Sequence, residues 1–403
     1  MTPPPPSLTQ APSPAARRVA ALAAELAAIT TRPWTLMEVC GGQTHAIVRW
    51  GLDQLLPPGV ELIHGPGCPV CVTPAATIDA ALALARRPEL ILCSYGDMLR
   101  VPGSDAGDDL LGVRAAGGDV RLLTSPLQAL ELAASHPERQ VVFLAVGFET
   151  TAPATALLAR QALALGLANL SLLVAHVRVV PAMATILADP ANRVQGFLAA
   201  GHVGTVMGLA ELQALVARHG LPVVMTGFEP ADVMAGLLAC VRQLESGRAE
   251  VVNAYGRVVR PEGNAAAQRQ MEAVFAVVDQ PWRGLGVLAG GGLALRGEYR
   301  RLDARERYGL DRPLAQEPAE PGGEASPCIA GAILRGQATP PDCPAFGTTC
   351  TPLHPLGAPM VSSEGACAAY HRYRPASVRP APSPAPSPAP SEPAASSPAS
   401  IGP

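Results

Sequence analysis

Cys68 and Cys71 stand two residues apart in GPGCPVC (65–71), with Pro69 between them. That spacing lets two Cβ atoms approach within about 4 Å in a tight turn, so a disulfide is within reach. A Cys-x-x-Cys pair close to a βαβ pattern points to thiol redox chemistry. The alternative, half of a structural zinc site, would need Cys40 and Cys93 to complete it, and neither belongs to a short knuckle. Cys40 itself lies in MEVCGGQTHAI (37–47), followed by Gly41 and Gly42 and, five residues on, by His45. A thiol at a helix N-terminus is expected to have a lowered pKa and to be a good metal ligand. A packed core cysteine is an equally good reading of Cys40 taken alone.

Cys328, Cys343, Cys350 and Cys367 follow a C-x14-C-x6-C-x16-C pattern through a stretch dense in Pro and Gly. A chain that turns so often can wrap four thiolates around one centre, either zinc or an iron–sulfur cluster. The absence of C-x2–4-C knuckles among these four favours a 4Fe–4S cluster. Four unrelated buried cysteines are the bland alternative. Glu364 precedes Cys367 by three residues, so on a helix the two would share a side, with Glu364 placed to tune what Cys367 binds or simply to cap. Cys93 and Cys240 fall in apolar runs and read as core.

Other polar residues fall at expected strand ends, where α/β sheets carry their sites. These are Glu149, Thr150 and Thr151 in VGFETTAP (146–153), His176 in AHVRVVPAM (175–183) and His202 in AGHVGTVMG (200–208). Helix capping and ordinary loop polarity explain them equally well. GLGVLAGGG (284–292) lacks the G-x-G-x-x-G spacing and is not a dinucleotide loop.

The elements that position these residues are short apolar runs alternating with helical patterns. Strands are expected at 60–64, 89–93, 119–123, 140–146, 170–174, 203–207 and 221–225, and helices at 76–87, 154–167, 209–220 and 269–278. This is the rhythm of parallel α/β sheets. The expected fold is two α/β domains, splitting near 136, plus a loop-rich C-terminal module. The divisions are a tail at 1–18, α/β domains at 19–135 and 136–245, a cysteine module at 246–375 and a tail at 376–403. Both tails are rich in Pro, Ala and Ser and are expected to be disordered.

The 403 residues are 48% hydrophobic with a net charge of −3, so there is ample core and no basic footprint for nucleic acid. No stretch is long and apolar enough for a membrane span, and no apolar leader opens the chain; a cytoplasmic location is expected. There is no lysine, which excludes a Walker-type P-loop, Schiff-base chemistry and the protein-kinase lysine.

Taken together, MEVCGGQTH, GPGCPVC, SYGDMLRVPG (94–103), VGFETTAP, AGHV, TGFEPADV (226–233), GRVVRPEGN (256–264), WRGLG (282–286), DCPAFGTTCTP (342–352) and MVSSEGACAAY (360–370) resemble the HypD family of NiFe-hydrogenase maturation. The resemblance runs from about 31 to 374. It implies two similar α/β domains, a third domain with a 4Fe–4S cluster, and a part in building the Fe(CN)2CO group of hydrogenase. It implies a tight complex with the chaperone HypC, and transient contact with HypE, which brings cyanide after loading by HypF. By motif, Cys40 becomes a ligand of the cargo Fe(II), Cys68 and Cys71 a thiol/disulfide pair, and Cys328, Cys343, Cys350 and Cys367 the cluster ligands. His45 and Glu364 match polar residues near the cleft. Gln43 departs from a family histidine, which leaves His45 as the candidate; Ala330 and Pro359 stand where many relatives carry further cysteines. The rival reading is a cluster-dependent disulfide reductase resembling ferredoxin–thioredoxin reductase. A zinc-stapled binding module would leave the CPVC pair idle.

Overall fold

The computed structural model describes residues 13–105, 107–310 and 327–374. Eleven strands are found among them. β1 (Trp34–Glu38), β2 (Val60–His64), β7 (Gly196–Ala200), β8 (Val223–Thr226) and β9 (Val251–Asn253) form a parallel sheet in the order β2-β1-β7-β8-β9. β3 (Leu90–Ser94), β4 (Val120–Leu122), β5 (Gln140–Gly147) and β6 (Leu170–His176) form a second parallel sheet, β4-β3-β5-β6. β10 (Phe275–Trp282) and β11 (Gly286–Leu295) make an antiparallel ribbon. The expected two α/β units are therefore present.

The apolar runs become strands because both faces of each parallel sheet are covered. Along β5 the side chains alternate. Val141, Phe143 and Ala145 enter one core with the helices Gln128–Ser135 and Ala152–Ala164. Val142, Leu144 and Val146 enter another with the helix Ala75–Ala85. Each such side chain contributes about 1.5–3 kcal/mol when fully buried. Cys93 is fully buried in the first of these cores and Cys240 in a separate one against the five-stranded sheet, as their apolar runs suggest.

Several boundaries differ from the sequence reading. The sheets do not divide near 136, because β3 and β4 pair with β5 and β6 across that point. The chain leaves the five-stranded sheet after β2 and returns at β7, and hydrophobic periodicity cannot reveal which strands pair. Residues 203–207 belong to the helix Gly201–Met207, and the strand is the preceding β7. The β-branched run VGTV misleads there because short apolar segments fit either period. The helix expected at 269–278 ends at Val274, and Phe275 opens β10. Residues 14–18 of the expected N-terminal tail are helical, in Pro14–Ile29 capped by Ser13. The remainder of that tail and the tail at 376–403 lie outside the described residues. Among the described residues no helix is long and apolar enough to cross a membrane.

The carboxyl ends of β1, β2, β7 and β8 converge. β1 is flanked by β2 on one side and β7 on the other, so the chain after it lies at a switch point of the sheet, where α/β folds place ligands.

Candidate functional site

Cys40 occupies that switch point. It is the N-cap of the helix Gly41–Trp50, one residue past Val39 at the end of β1, and it is buried. Its N–H donates to Glu38 Oε2 at 2.8 Å. Glu38 is itself fully buried and collects further donors on Oε1, from His64 Nδ1 at 2.7 Å and from the Thr44 hydroxyl. Register explains the first, since Glu38 and His64 are paired residues of β1 and β2. Tyr370 completes the chain at His64 Nε2, 3.2 Å away.

His202 Nδ1 lies 3.7 Å from Cys40 Sγ, and its ring stacks on Phe228 with centroids 5.1 Å apart. Burial pushes the Cys40 thiol far above its ordinary range, and nearby Glu38 and Glu364 push the same way. The amides of Gln43 and Gly42 oppose this and lose. The expected lowering by the helix N-terminus is thus overturned by desolvation. Burial also lowers the His202 pKa, so a neutral thiol faces a neutral imidazole.

The GPGCPVC segment is laced to the same place. Gly65 N–H donates to Glu38 O and Gly41 N–H to Gly67 O, both at 2.8 Å. A Cβ on Gly67 would lie 2.1 Å from Cys40 N, so only glycine permits this approach. Cys68 caps the short helix Pro69–Val72, accepts the Cys71 N–H at 3.2 Å, and is joined to Cys71 in a disulfide.

That helix packs on the turn Ala358–Met360 of the cysteine module. Arg283, also buried, ties the two regions: its N–H donates to Val72 O at 2.8 Å, and its charge opposes, without overcoming, the rise of the Cys328 pKa that burial causes. Cys328, Cys343, Cys350 and Cys367 are all buried, and the last three share one small core with Ile333 and Met360. Burial, with Cys343 and Cys350 adding, holds the Cys328 thiol up at about 11. Cys367 is raised by burial and then by the other three. Leu356 N–H points at Cys350 Sγ at 3.4 Å, and Ala330 N–H points at Cys328. Among the described residues no three His, Cys, Asp or Glu side chains converge closely enough to hold a single metal ion. The donor set nevertheless fits an iron–sulfur cluster chemically: four soft sulfurs, shielded from water, with amide N–H groups directed at them.

The other expected site residues fall as follows. His45 Nδ1 donates to Ser363 O at 3.0 Å and Nε2 accepts from the Tyr373 hydroxyl at 3.2 Å, so this ring clasps the cysteine module to the helix Gly41–Trp50. Glu364 precedes the helix Ala366–Tyr373 and so does not share a helical face with Cys367. It lies instead against the Cys40 turn, where a Cβ on Gly41 would meet its own Cβ at 2.5 Å. Gln43 donates to Ala199 O and Thr226 O, at 3.1 and 3.2 Å, bracing the ends of β7 and β8. His176 is core: Nδ1 donates to Gly147 O, Nε2 accepts from Thr155, and burial lowers its pKa to about 4. Thr151 donates its hydroxyl to Phe148 O at 3.1 Å. Glu149 is buried, accepts the Val179 N–H on Oε1 at 3.1 Å, and is pushed up to about 7 by burial. His202 is the residue that sequence reasoning left among the undecided; AGHV at a strand end was its only signal.

Comparison with known proteins gives the family of the chain. The family model HypD, described as "Hydrogenase formation hypA family", matches residues 15–374. The chain is 45% identical over 356 residues to "Hydrogenase maturation factor HypD" of Rhodobacter capsulatus, covering 88% of this chain and 93% of the relative. It is 49% identical over 365 residues to "Hydrogenase expression/formation protein HupD" of Azotobacter chroococcum mcd 1, covering 89% and 94%. It is 44% identical over 353 residues to "Hydrogenase maturation factor HypD" of Escherichia coli (strain K12), covering 87% and 92%.

Proposed function

The chain belongs to the HypD family and is a hydrogenase maturation factor, and from that premise we propose that it is a redox-active scaffold for the Fe(CN)2CO group. In this reading it works with HypC, and cyanide arrives from HypE. The observation that carries the reading is the buried Cys40 thiol facing His202 at the switch point, with Glu364 and the Gly67 turn that leads into the CPVC pair held against it.

Fe(II) is the cargo. When it meets Cys40, an S–Fe bond replaces S–H, and His202 Nδ1 is the base within reach of the released proton. A thiolate is a suitable soft ligand for iron that also carries cyanide and carbon monoxide. A cysteine of HypC supplies a second one. Glu364 beside Gly41 places a carboxylate next to the Cys40 turn. Cys68 and Cys71 form a two-electron store: their disulfide takes two electrons and two protons to give two thiols. Cys328, Cys343, Cys350 and Cys367 hold a 4Fe–4S cluster, which supplies electrons singly when bound. Arg283 links the CPVC helix to the surroundings of Cys328.

The test is Cys40→Ala in the complex with HypC. The infrared bands of iron-bound cyanide should disappear while the iron held by the cysteine module stays. Survival of those bands would remove Cys40 from the role.

The disulfide beside the cysteine module also favours a second reading, a cluster-dependent disulfide reductase. Cys68 and Cys71 are 3% and 1% exposed, which bars a protein disulfide from reaching them without opening the domain. A Cys71→Ser variant that traps no mixed disulfide with client proteins sinks this second reading.

A further inference from the structure

His202 reaches Cys40 from the short helix Gly201–Met207. Among the described residues its ring makes one polar contact, Nδ1 to Cys40 Sγ at 3.7 Å. A single long contact does not fix a ring that turns about two bonds. Aromatic packing does. Phe228, between the end of β8 and the helix Pro230–Glu245, lays its face on the imidazole, 25° from parallel with centroids 5.1 Å apart. The same ring borders the thiol: a Cβ on Gly42 would lie 3.2 Å from Phe228 Cδ1 and 3.8 Å from Cys40 Sγ. Tyr255 supports both members of the pair. It meets Phe228 edge to face with centroids 6.3 Å apart, and it fills the space beside the glycines that precede His202 and Phe228. A Cβ on Gly201 would lie 2.6 Å from Tyr255 Cδ1, and one on Gly227 would lie 2.5 Å from Tyr255 Cε2. Arg257 covers the Tyr255 ring at 4.5 Å and pairs at 2.5 Å with Asp232, in the first turn of the helix after Phe228.

We infer that Phe228 is a positioning residue that aims His202 Nδ1 at the Cys40 thiol, with Tyr255 as its support. Stacking holds the imidazole plane, and with it Nδ1, towards Sγ. Without the aromatic face the ring samples orientations in which Nδ1 turns away. The thiol then loses its acceptor, and the proton released when an S–Fe bond replaces S–H loses its nearest base. An aliphatic side chain fills the same space but has no flat face, so it does not select one orientation. An aromatic pair of this kind biases the ring by about 2- to 10-fold beyond what its buried area contributes. The aim of His202 at the thiol stands on the geometry alone; its service to iron binding rests on the proposed reading of Cys40 as an iron-binding thiol.

Infrared spectroscopy of the full-length, anaerobically purified protein reads the thiol directly. The difference between wild type and Cys40→Ala identifies the Cys40 S–H stretch. Phe228→Leu should move that stretch to higher frequency, because the S–H loses its acceptor, and His202→Ala should do the same. Phe228→Tyr, which keeps the aromatic face, should leave it at the wild-type frequency. A protein carrying both Phe228→Leu and His202→Ala should show the shift of His202→Ala alone, since the first residue acts through the second. A stretch that Phe228→Leu leaves in place, or a double variant whose shift is the sum of the two, overturns the inference. Nuclear Overhauser contacts between the ring protons of His202 and Phe228 test the stack in the wild-type protein, without a variant; their absence overturns it too. In the HypC complex, Phe228→Leu should slow growth of the iron–cyanide bands about 2- to 10-fold with their final amplitude unchanged. An unchanged rate refutes the service to iron binding. Absence of those bands from the wild-type complex counts against the scaffold reading, and leaves the role of Phe228 to be decided by the S–H stretch.

Discussion

Substituting Gly67→Ala should unseat the CPVC segment from Cys40. The added Cβ would stand 2.1 Å from Cys40 N, 2.4 Å from Cys40 Cα and 2.4 Å from the Val39 carbonyl carbon. All three are backbone atoms, at the end of a strand paired on both sides, so no side-chain rotation relieves the clash. The segment must move away, and the Gly41 N–H bond to Gly67 O is the first casualty. Overpacking at about 1–3 kcal/mol and one backbone hydrogen bond at about 0.5–1.5 kcal/mol give a loss of about 2–4 kcal/mol. At about 2 °C per kcal/mol for a large chain, the melting temperature should fall by about 4–8 °C. Scanning calorimetry reads this directly, and the alkylation rate of Cys40, followed by mass spectrometry of the peptide, should rise as the cover loosens. Gly256→Ala is the control, since its nearest neighbour, Asn253 Nδ2, is 4.0 Å away. A Gly67→Ala protein that melts with the wild type and keeps Cys40 equally protected would refute the close-approach argument.

Three further outcomes follow from individual contacts. Glu38→Gln replaces one acceptor oxygen by N–H2, set against either Cys40 N–H or the Thr44 and His64 donors, and should cost about 1–3 kcal/mol in urea unfolding; an unchanged midpoint would mean that Glu38 does not organise the turn. His176 has a folded pKa of about 4, below its ordinary 6.5, so the unfolded chain takes up the proton first. Its contribution is complete above about pH 6.5 and is lost as pH falls towards 4, roughly 3 kcal/mol in all. His176→Gln should flatten that part of the stability profile, and an identical slope would contradict the burial. In Gly357→Ala the new Cβ would lie 2.8 Å from Cys328 Sγ, so anaerobically purified protein should carry less iron per chain; full iron content would show that the sulfur has room to move.

Six of the nine parallel strands, β2 to β6 and β8, were legible as apolar runs covered on both faces, and β2 matches its expected limits of 60–64, whereas β1, β7 and β9 were not expected. Sheet membership was not legible. Val141 of β5 pairs with Ile91 of β3, about fifty residues earlier, and no local pattern encodes that choice. The helix Gly201–Met207 was missed because its valines and threonine suit a strand, and tertiary packing after β7 decides otherwise. Cysteine chemistry made the thiols of the site conspicuous. The partners were hidden, because contact across the fold depends on which sheet edges meet. His45 is near Cys40 in sequence yet bonds to Ser363 and Tyr373, whereas His202, 162 residues away, is the imidazole at the thiol.

The protonation of Cys40 shows why local sequence and site chemistry can point in opposite directions. A helix N-terminus favours a thiolate by about 0.3–1 kcal/mol, and by about 2 kcal/mol in the best partly buried cases. Removing a charge from water costs several kcal/mol in a real protein interior. Cys40 is 1% exposed and has two carboxylates nearby, so the second effect wins and the proton stays. Only a group that brings positive charge into the pocket reverses the balance, because it supplies the electrostatic partner that the buried thiolate lacks. A divalent metal does this, and a neutral alkylating or oxidising reagent does not. The burial that makes Cys40 a poor free nucleophile is therefore compatible with the metal-ligand role proposed for it. By the same argument the two carboxylates, Glu38 and Glu364, which hinder ionisation of the Cys40 thiol, would add to the attraction for the Fe(II) of the proposed reading.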